Sequence, residues 1–286
     1  MKKIICCTLL SSIILLVSCQ KEIDWGLGGN GGTANLSLYR IKSKTGTDTT
    51  QIDYFYDANK RIIREKTTGM GSGQNLDNDL VISRNATGII TKTVQKAASL
   101  LTAGIDSVVT VFNYSTATSK YTSSVFQLSI FGFGIVDSAV YTYDGSGKIS
   151  KDEHFTLFIG LPIPLPPTLT ARNTYTYSAD GKNLLGLATE AAIPPATTLS
   201  PATAQIYTVD TKVNPLIILN EAVLLGRVGL FNANNSTKAV VANTVDPTQD
   251  FTMDYTYKYN TANKPDSVNG IRTPGGAATI YKYFYQ

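Results

Sequence analysis

The chain has 286 residues, with 25 Lys and Arg against 21 Asp and Glu and a formal net charge of +4. This charge is too balanced to argue for binding to nucleic acid or to an anionic membrane face, which call for clustered Lys and Arg, and the sequence contains no such cluster. A chain of this length can bury an ordinary hydrophobic core, as one domain or two closely joined ones. Tyr is abundant, with 16 residues, and it suits the half-buried surface of a β-sheet.

The N-terminal segment has the layout of a secretory signal peptide, with a cationic start at residues 1–3 and an uncharged apolar run at 4–17. The run is too short for a membrane-spanning helix, which needs about 20 apolar residues. Residues 16–19, Leu-Val-Ser-Cys, then resemble the lipobox of bacterial lipoproteins. The resemblance implies that the Cys19 thiol receives a diacylglyceryl group and that a peptidase cuts between Ser18 and Cys19.

Loss of the signal peptide at 1–18 would leave no free thiol, because Cys6 and Cys7 leave with it and Cys19 carries lipid. We therefore expect no disulfide, zinc-thiolate site or cysteine nucleophile. Residues 19–33 are predicted to form a lipidated Gly-rich tether, and 34–286 the folded domain. We predict that the lipid holds the protein to the outer membrane, its membrane partner, with the periplasmic and surface-exposed orientations both left open.

A short motif recurs through the folded domain: two tyrosines separated by one residue, a polar turn, and usually Lys before an aliphatic residue. Its copies are Tyr54-Phe-Tyr-Asp57, Tyr141-Thr-Tyr-Asp144, Tyr175-Thr-Tyr-Ser178, Tyr255-Thr-Tyr-Lys-Tyr-Asn260 and the terminal Tyr281-Lys-Tyr-Phe-Tyr285. Residues i and i+2 of a strand share one face, and Asp-Gly and Asn favour tight turns. Each copy therefore predicts a β-hairpin, and neighbouring hairpins would align their tyrosines in cross-strand pairs.

These units resemble the Tyr-Asp (YD) repeats of RHS-type proteins. They are more similar to a group of Bacteroidota outer-membrane lipoproteins of unknown function that carry degenerate Tyr-x-Tyr-Asp-x-x-Gly-Lys units. The resemblance covers roughly residues 36–286 and is loose in spacing, since Tyr143 and Tyr177 are 34 residues apart. It implies an all-β fold, an antiparallel meander of Tyr-x-Tyr hairpins that forms a curled or rolled sheet, and it brings no catalytic residues.

Three segments interrupt the hairpins, and one of them, residues 191–201, is predicted to be a Pro/Thr/Ala loop. Residues 157–169 are apolar and rich in Pro, which predicts a loop or edge segment that either closes a sheet end or is exposed as a contact surface. Residues 216–231 follow Pro215 and have the spacing of one short helix, near 216–228. A pair of buried strands is the alternative for this last segment.

Few residues suggest catalysis. His154 is the only histidine, no Gly-x-Ser-x-Gly motif accompanies it, and we interpret it as a strand histidine. Asp152 and Glu153 are adjacent on a predicted strand and would point to opposite faces, which makes them a poor pair for glycoside hydrolysis. Asp77-Asn-Asp79 is interpreted as a polar turn in preference to a Ca²⁺ site. We therefore predict no catalytic residue, no metal site and no cofactor.

The tyrosine pairs have two interpretations: exposed rings that stack on sugars, or rings that pack on one another as part of the structure. Under the first interpretation the ligand-binding candidates are Tyr141, Tyr143, Tyr175, Tyr177, Tyr255 and Tyr257. We predict a non-enzymatic binding or structural module of the cell envelope, whose partner is a glycan or an envelope protein and not a nucleic acid. The alternative is a carbohydrate-active hydrolase whose carboxylates are brought together by the fold.

Overall fold

The structure is a computed structural model that describes residues 37–71, 73–130, 133–160, 166–192, 198–215, 220–226 and 232–286. The expected signal peptide, the lipidation site at Cys19 and the tether lie outside the described residues, so they remain predictions.

The described residues form seventeen β-strands, two short α-helices and one 3₁₀ turn. The strands are β1 (Leu38–Thr45), β2 (Asp48–Tyr56), β3 (Ile62–Gly71), β4 (Gln74–Asn75), β5 (Asn78–Arg84), β6 (Ile90–Ala97), β7 (Val108–Ser115), β8 (Lys120–Ile130), β9 (Phe133–Tyr143), β10 (Ile149–Ile159), β11 (Thr168–Tyr177), β12 (Leu184–Ala191), β13 (Ser200–Val213), β14 (Asn234–Asn243), β15 (Phe251–Tyr259), β16 (Pro265–Thr273) and β17 (Thr279–Tyr285). The helices are α1 (Ala98–Thr102) and α2 (Asn220–Leu224), and the 3₁₀ turn is Pro247–Gln249.

The sheet closes on itself. β4 pairs only with the end of β3, each of the other strands pairs antiparallel with the next one along the chain, and β17 pairs with β1. The result is a 16-stranded up-and-down β-barrel. The predicted antiparallel meander is confirmed, but the predicted curled or rolled sheet is corrected to a closed barrel. Pairing of Ile41 with Tyr283 removes the free edge that an open sheet would expose.

The two ends of the barrel have different connections, because an up-and-down meander places alternate turns at opposite ends. Ser37 and Gln286 pair with each other at one end, together with the turns that follow the Tyr-x-Tyr motifs. We call this the tyrosine end. Segment 157–169 connects strands at the opposite, far end. The sequence predicts a loop or edge segment here, but the first residues of the segment, Leu157 to Ile159, continue β10 opposite β9, and Thr168 begins β11.

The half of the lumen at the tyrosine end is filled by large apolar side chains and by α2. Ile149 and Leu184 are 0% exposed, as is Ala222 of α2, which packs in the same core. The short helix predicted near 216–228 is therefore present as α2, shorter than expected among the described residues. A smaller core at the far end joins α1 to the wall through Leu100 and Leu128. None of the helices among the described residues has the length and apolar character needed to cross a membrane.

Candidate functional site

The polar turn after each Tyr-x-Tyr pair is held by the residue that follows the second tyrosine. Asp57 accepts hydrogen bonds from the backbone N–H groups of Asn59 and Arg61, at 2.8 and 2.9 Å. Asp144 does the same for Ser146 and Lys148, at 2.8 and 2.9 Å. These carboxylates are therefore used to shape turns and are poor candidates for ligand binding.

The second tyrosine of the motif joins one hairpin to the preceding one. Four such hydroxyls donate to backbone carbonyl oxygens 18 to 28 residues earlier in the chain. The pairs are Tyr56 to Leu38 (2.6 Å), Tyr143 to Tyr121 (2.9 Å), Tyr177 to Ile149 (2.5 Å) and Tyr285 to Pro265 (2.7 Å). Because each bond connects neighbouring hairpins, the repeat has a structural task at the tyrosine end.

The six tyrosines proposed as ligand contacts all lie on the lumen side of the wall. Tyr141 donates to Ser124 Oγ at 2.7 Å, and Tyr257 donates to the Ser236 carbonyl at 2.9 Å. Burial raises the pKa of Tyr143 to about 12 and raises the pKa of Tyr141 further, so these phenols stay neutral at physiological pH. The rings are thus packed inside the barrel; contact of any of the six with a ligand stays a prediction.

An ion pair holds α2 inside the barrel. The Arg84 guanidinium on β5 contacts both carboxylate oxygens of Glu221, at 2.6 and 2.7 Å, and also donates to the carbonyls of Ile62 and Gly88. Only 6% of the Arg84 side chain is exposed. Burial alone would lower the pKa of Arg84, but the Glu221 carboxylate outweighs that effect and raises it. The guanidinium therefore remains charged and anchors α2 to the wall.

A charged cluster on β9, β10 and β11 faces the lumen around His154. The imidazole Nδ1 lies 2.8 Å from Asp137 Oδ1, and Nε2 lies 3.3 Å from Asp152 Oδ1. Burial by itself lowers the pKa of His154, but the two carboxylates outweigh burial and raise it to about 10. His154 is therefore protonated at neutral pH. The side chain keeps 28% exposure inside the wall, and that exposed part faces the lumen.

Both carboxylates of this cluster are occupied as hydrogen-bond acceptors. Asp152 accepts from the Tyr175 hydroxyl at 2.7 Å and from the Asn173 amide at 2.8 Å, in addition to His154. Asp137 accepts from the Thr156 hydroxyl at 3.1 Å. Glu153 points to the outer wall, where it pairs with Arg172, so the expectation that Asp152 and Glu153 face apart is confirmed. The cluster is a paired charge network whose partners leave no carboxylate free to act as a base.

A row of polar side chains continues from this cluster around the far half of the lumen, and we call it the polar belt. Its members are directly paired across adjacent strands: Asp152, Asn173, Thr189, Thr203 and Asn243. The Thr189 hydroxyl donates to Asn173 Oδ1 at 2.7 Å. All of them except Asp152 are partly exposed although they face inward. Asn173 donates to Asp152 and accepts from Thr189, and Asn243 Oδ1 accepts from the backbone N–H groups of Val245 and Asp246, so the belt presents chiefly its threonine hydroxyls to a polar ligand. The part of the chain that the structure describes contains no group of metal-ligating side chains.

The outer wall has two unlike faces. The basic face lies on β17, β1, β2, β3, β5 and β6, and its outward cations are Arg40, Lys42, Lys44, Arg64, Lys66, Lys92, Lys96 and Lys282. The valine face lies on β7, β8 and β9, and its outward side chains include Val109, Val111, Val125, Val136 and Val140. A membrane-spanning barrel instead presents an apolar band all round, with a polar interior. The exposed lysines midway along the strands make this wall unsuited to hydrocarbon.

No protein-family model matches the chain, and no curated protein matches it. Two solved structures share its fold. A porin-like protein from Bacteroides uniformis ATCC 8492 aligns with a TM-score of 0.51 and 13% identity, over 89% of this chain and 99% of that one. A porin-like protein from Bacteroides vulgatus ATCC 8482 aligns with a TM-score of 0.52 and 10% identity, over 88% of this chain and 99% of that one. The likeness establishes a common barrel fold.

Both similar structures come from Bacteroides, which supports the all-β, Bacteroidota-like part of the resemblance seen in the sequence. The assignment of Tyr-Asp repeats and of a lipoprotein stays a prediction. Sequence reasoning missed the partnership of Asp137 with His154 and the polar belt, because both depend on strand register. The alternation of inward polar residues such as Asn173 and Thr189 was the signal that could have found the belt.

Proposed function

We propose that the protein is a non-enzymatic, lipid-anchored binding module of the cell envelope that holds a polar ligand, of the glycan class, in the far half of its lumen. The polar belt carries the proposal. A 16-stranded barrel is wide enough to leave an aqueous interior, and the inward Thr and Asn side chains keep partial contact with solvent. Fixed hydrogen-bonding groups on a rigid wall suit the hydroxyl groups of a sugar.

An open channel through the barrel, as in a porin, is less well supported than a cavity that is closed at the tyrosine end. The tyrosine half of the lumen is filled by large side chains and by α2, which the Arg84–Glu221 ion pair ties to the wall. The cation-rich basic face also favours an outer wall in water. We therefore propose that the fold is used to hold a ligand, with the lipid on Cys19 keeping the barrel at the outer membrane.

The hydrolase alternative draws no support from the carboxylates. Asp137 and Asp152 do meet in the lumen, but they share one protonated imidazole and accept further hydrogen bonds from Thr156, Tyr175 and Asn173. A glycosidase needs one carboxylic acid that can donate a proton and one carboxylate free to act as base or nucleophile. This arrangement supplies neither, which is why we propose a binding role.

The test is a glycan array of bacterial and host oligosaccharides, probed with the mature chain and with two variants. Thr203→Trp would fill the lumen at the polar belt, whereas Ala204→Trp adds the same ring to the outer face of the same strand. We expect binding that falls at least tenfold in the Thr203 variant and is unchanged in the Ala204 variant. Equal losses in both variants would place the ligand elsewhere. An empty array combined with capture of an envelope protein would show that the ligand is a protein and would overturn the glycan class.

A further inference from the structure

The basic face brings together positively charged side chains that are scattered along the sequence. The strands of this face carry eight outward cations but only two outward carboxylates, Asp53 and Asp79. Arg40 pairs with Asp53 at 2.5 Å and Arg64 with Asp79 at 2.6 Å. The six lysines of the face are all exposed, and none of them forms a salt bridge with a carboxylate among the described residues. The sequence has no basic cluster along its length, but strand pairing produces one on the folded surface.

The seam that closes the barrel places two of these lysines directly opposite each other. Lys42 on β1 is the cross-strand partner of Lys282 on β17, and Lys44 lies two residues further along the same face. Like charges directly opposite on a sheet destabilise the pair of strands. The seam therefore carries an unfavourable charge pair in the isolated chain, and an anionic partner would relieve it.

Aromatic rings stand among these cations near the tyrosine end. The Arg40 guanidinium lies over the Tyr39 ring at 5.5 Å, and Lys42 Nζ lies over the Phe284 ring at 5.8 Å. Phe55 is 43% exposed and borders, with Tyr39, a surface cavity of about 350 Å³. Aromatic rings beside Lys and Arg suit the headgroup region of a bilayer, where the ring is partly buried and the cation meets phosphate.

The chain enters the barrel beside this surface. Ser37 exchanges backbone hydrogen bonds with Gln286 at 2.7 and 2.8 Å, next to Tyr39 and Arg40. The segment from Cys19 to Ser37 could extend to at most roughly 60 Å, by covalent geometry alone. A strand of the barrel wall rises only about 30–35 Å. A lipid on Cys19 would thus leave enough chain for the wall to lie along the membrane.

We propose that the basic face rests on anionic phospholipid headgroups, so that the barrel lies with this wall against the membrane surface. The face binds by charge complementarity through Lys42, Lys44 and Lys282, and its aromatic rings settle at the headgroup level. The choice of lipid over other polyanions rests on the anchor at Cys19, which is part of the proposed function. The polar belt, which faces the lumen, plays no part in this contact.

The test uses the mature chain, residues 19–286, with Cys19→Ser, so that binding does not depend on acylation. Co-sedimentation is measured with phosphatidylcholine vesicles that contain either 30% phosphatidylglycerol or none. We expect binding only to the anionic vesicles, with loss at high salt. Replacement of Lys42, Lys44 and Lys282 by Gln should weaken binding roughly 100-fold. Each lysine near an anionic surface strengthens binding by a similar factor, and the three factors multiply.

The matched control replaces three lysines across the barrel from the seam, Lys151 on β10 and Lys148 and Lys182 in the turns that flank β10 and β11, by Gln. It removes the same charge, and we expect it to change binding less than threefold. The seam variant should keep or raise its free energy of unfolding, which separates lost binding from lost folding. Equal binding to the two vesicle types, or equal losses in the two triple variants, would overturn the proposal. So would retention on heparin without vesicle binding, which would indicate a soluble polyanion. None of these outcomes depends on the glycan array.

Discussion

The two halves of the lumen lie on the same strands but are built from different side chains. At the tyrosine end, Ile149 and Leu184 are 0% exposed and α2 packs in the same core. At the far end, Thr189 and Thr203 face inward and keep partial exposure. One half therefore resembles the core of a globular domain, and the other resembles the wall of a binding cavity.

A wide barrel can thus obtain most of its packed core at one end, with only a smaller core around α1 at the other. Large side chains and an inserted helix supply dispersion and hydrophobic burial in the tyrosine half. The far half is then free to carry small polar groups that contribute little to folding. Substitutions in the two halves should consequently have different effects, which can be measured.

The largest effect is expected from breaking the ion pair that holds α2. Glu221→Gln removes the charge opposite Arg84, whose side chain is only 6% exposed, and leaves a buried guanidinium without its counter-charge. We expect the free energy of unfolding to fall by about 3–5 kcal/mol, measured by urea denaturation of the mature chain.

The control for this variant is Asp254→Asn, which makes the same carboxylate-to-amide change in the exposed pair with Lys238, 3.9 Å apart on the outer wall. Pairs of this kind contribute about 0.2–1 kcal/mol. Equal losses in the two variants would show that α2 does not depend on Arg84, and that the tyrosine half is not held together as we describe.

A smaller effect, dependent on pH, is expected from the charged cluster where the two halves meet. The pKa of His154 is raised to about 10 in the folded chain, against about 6.5 when unfolded. Its contribution to stability is therefore complete below about pH 6 and is lost as pH rises towards 10. His154→Gln should lower the free energy of unfolding by about 2 kcal/mol at pH 6, the scale of hydrogen bonds to charged groups.

The measurement compares urea denaturation of the wild-type and His154→Gln chains at pH 6, 8 and 10. The difference between the two chains should shrink as pH rises, while the titration of other groups cancels in the subtraction. A difference that is constant from pH 6 to pH 10 would contradict a protonated His154 between Asp137 and Asp152.

Much of the local structure could be predicted from the sequence, because it depends on neighbouring residues. Tyr-x-Tyr followed by Asp144 and Gly147 specifies a strand face and a turn, and the hairpin forms there. Closure could not be predicted, since it depends on Ile41 pairing with Tyr283 at the other end of the chain. The motif is equally compatible with an open and a closed sheet.

Neither the candidate site nor the basic face could be predicted from the sequence, and the reason is again strand pairing. Asp137 and His154 lie on neighbouring strands, and their contact follows from the register of β9 and β10. Lys42 and Lys282 are separated by most of the chain, yet they are opposite each other in the barrel. Composition gives the number of charges, but only strand pairing gives their spacing.

The smallest effect on stability is expected in the far half, at the polar belt. Thr203→Val removes one lumen-facing hydroxyl and keeps the shape of the side chain, so the free energy of unfolding should change by less than about 0.5 kcal/mol. Affinity for a glycan found on the array should nevertheless fall by roughly two- to tenfold, as for the loss of one hydrogen bond. Thr208→Val makes the same change on the outer face of β13, opposite Lys238, and should leave the affinity unchanged. If Thr203→Val instead destabilised the chain while affinity was preserved, the far half would be part of the core, and the division of the lumen into a packed half and a binding half would fail.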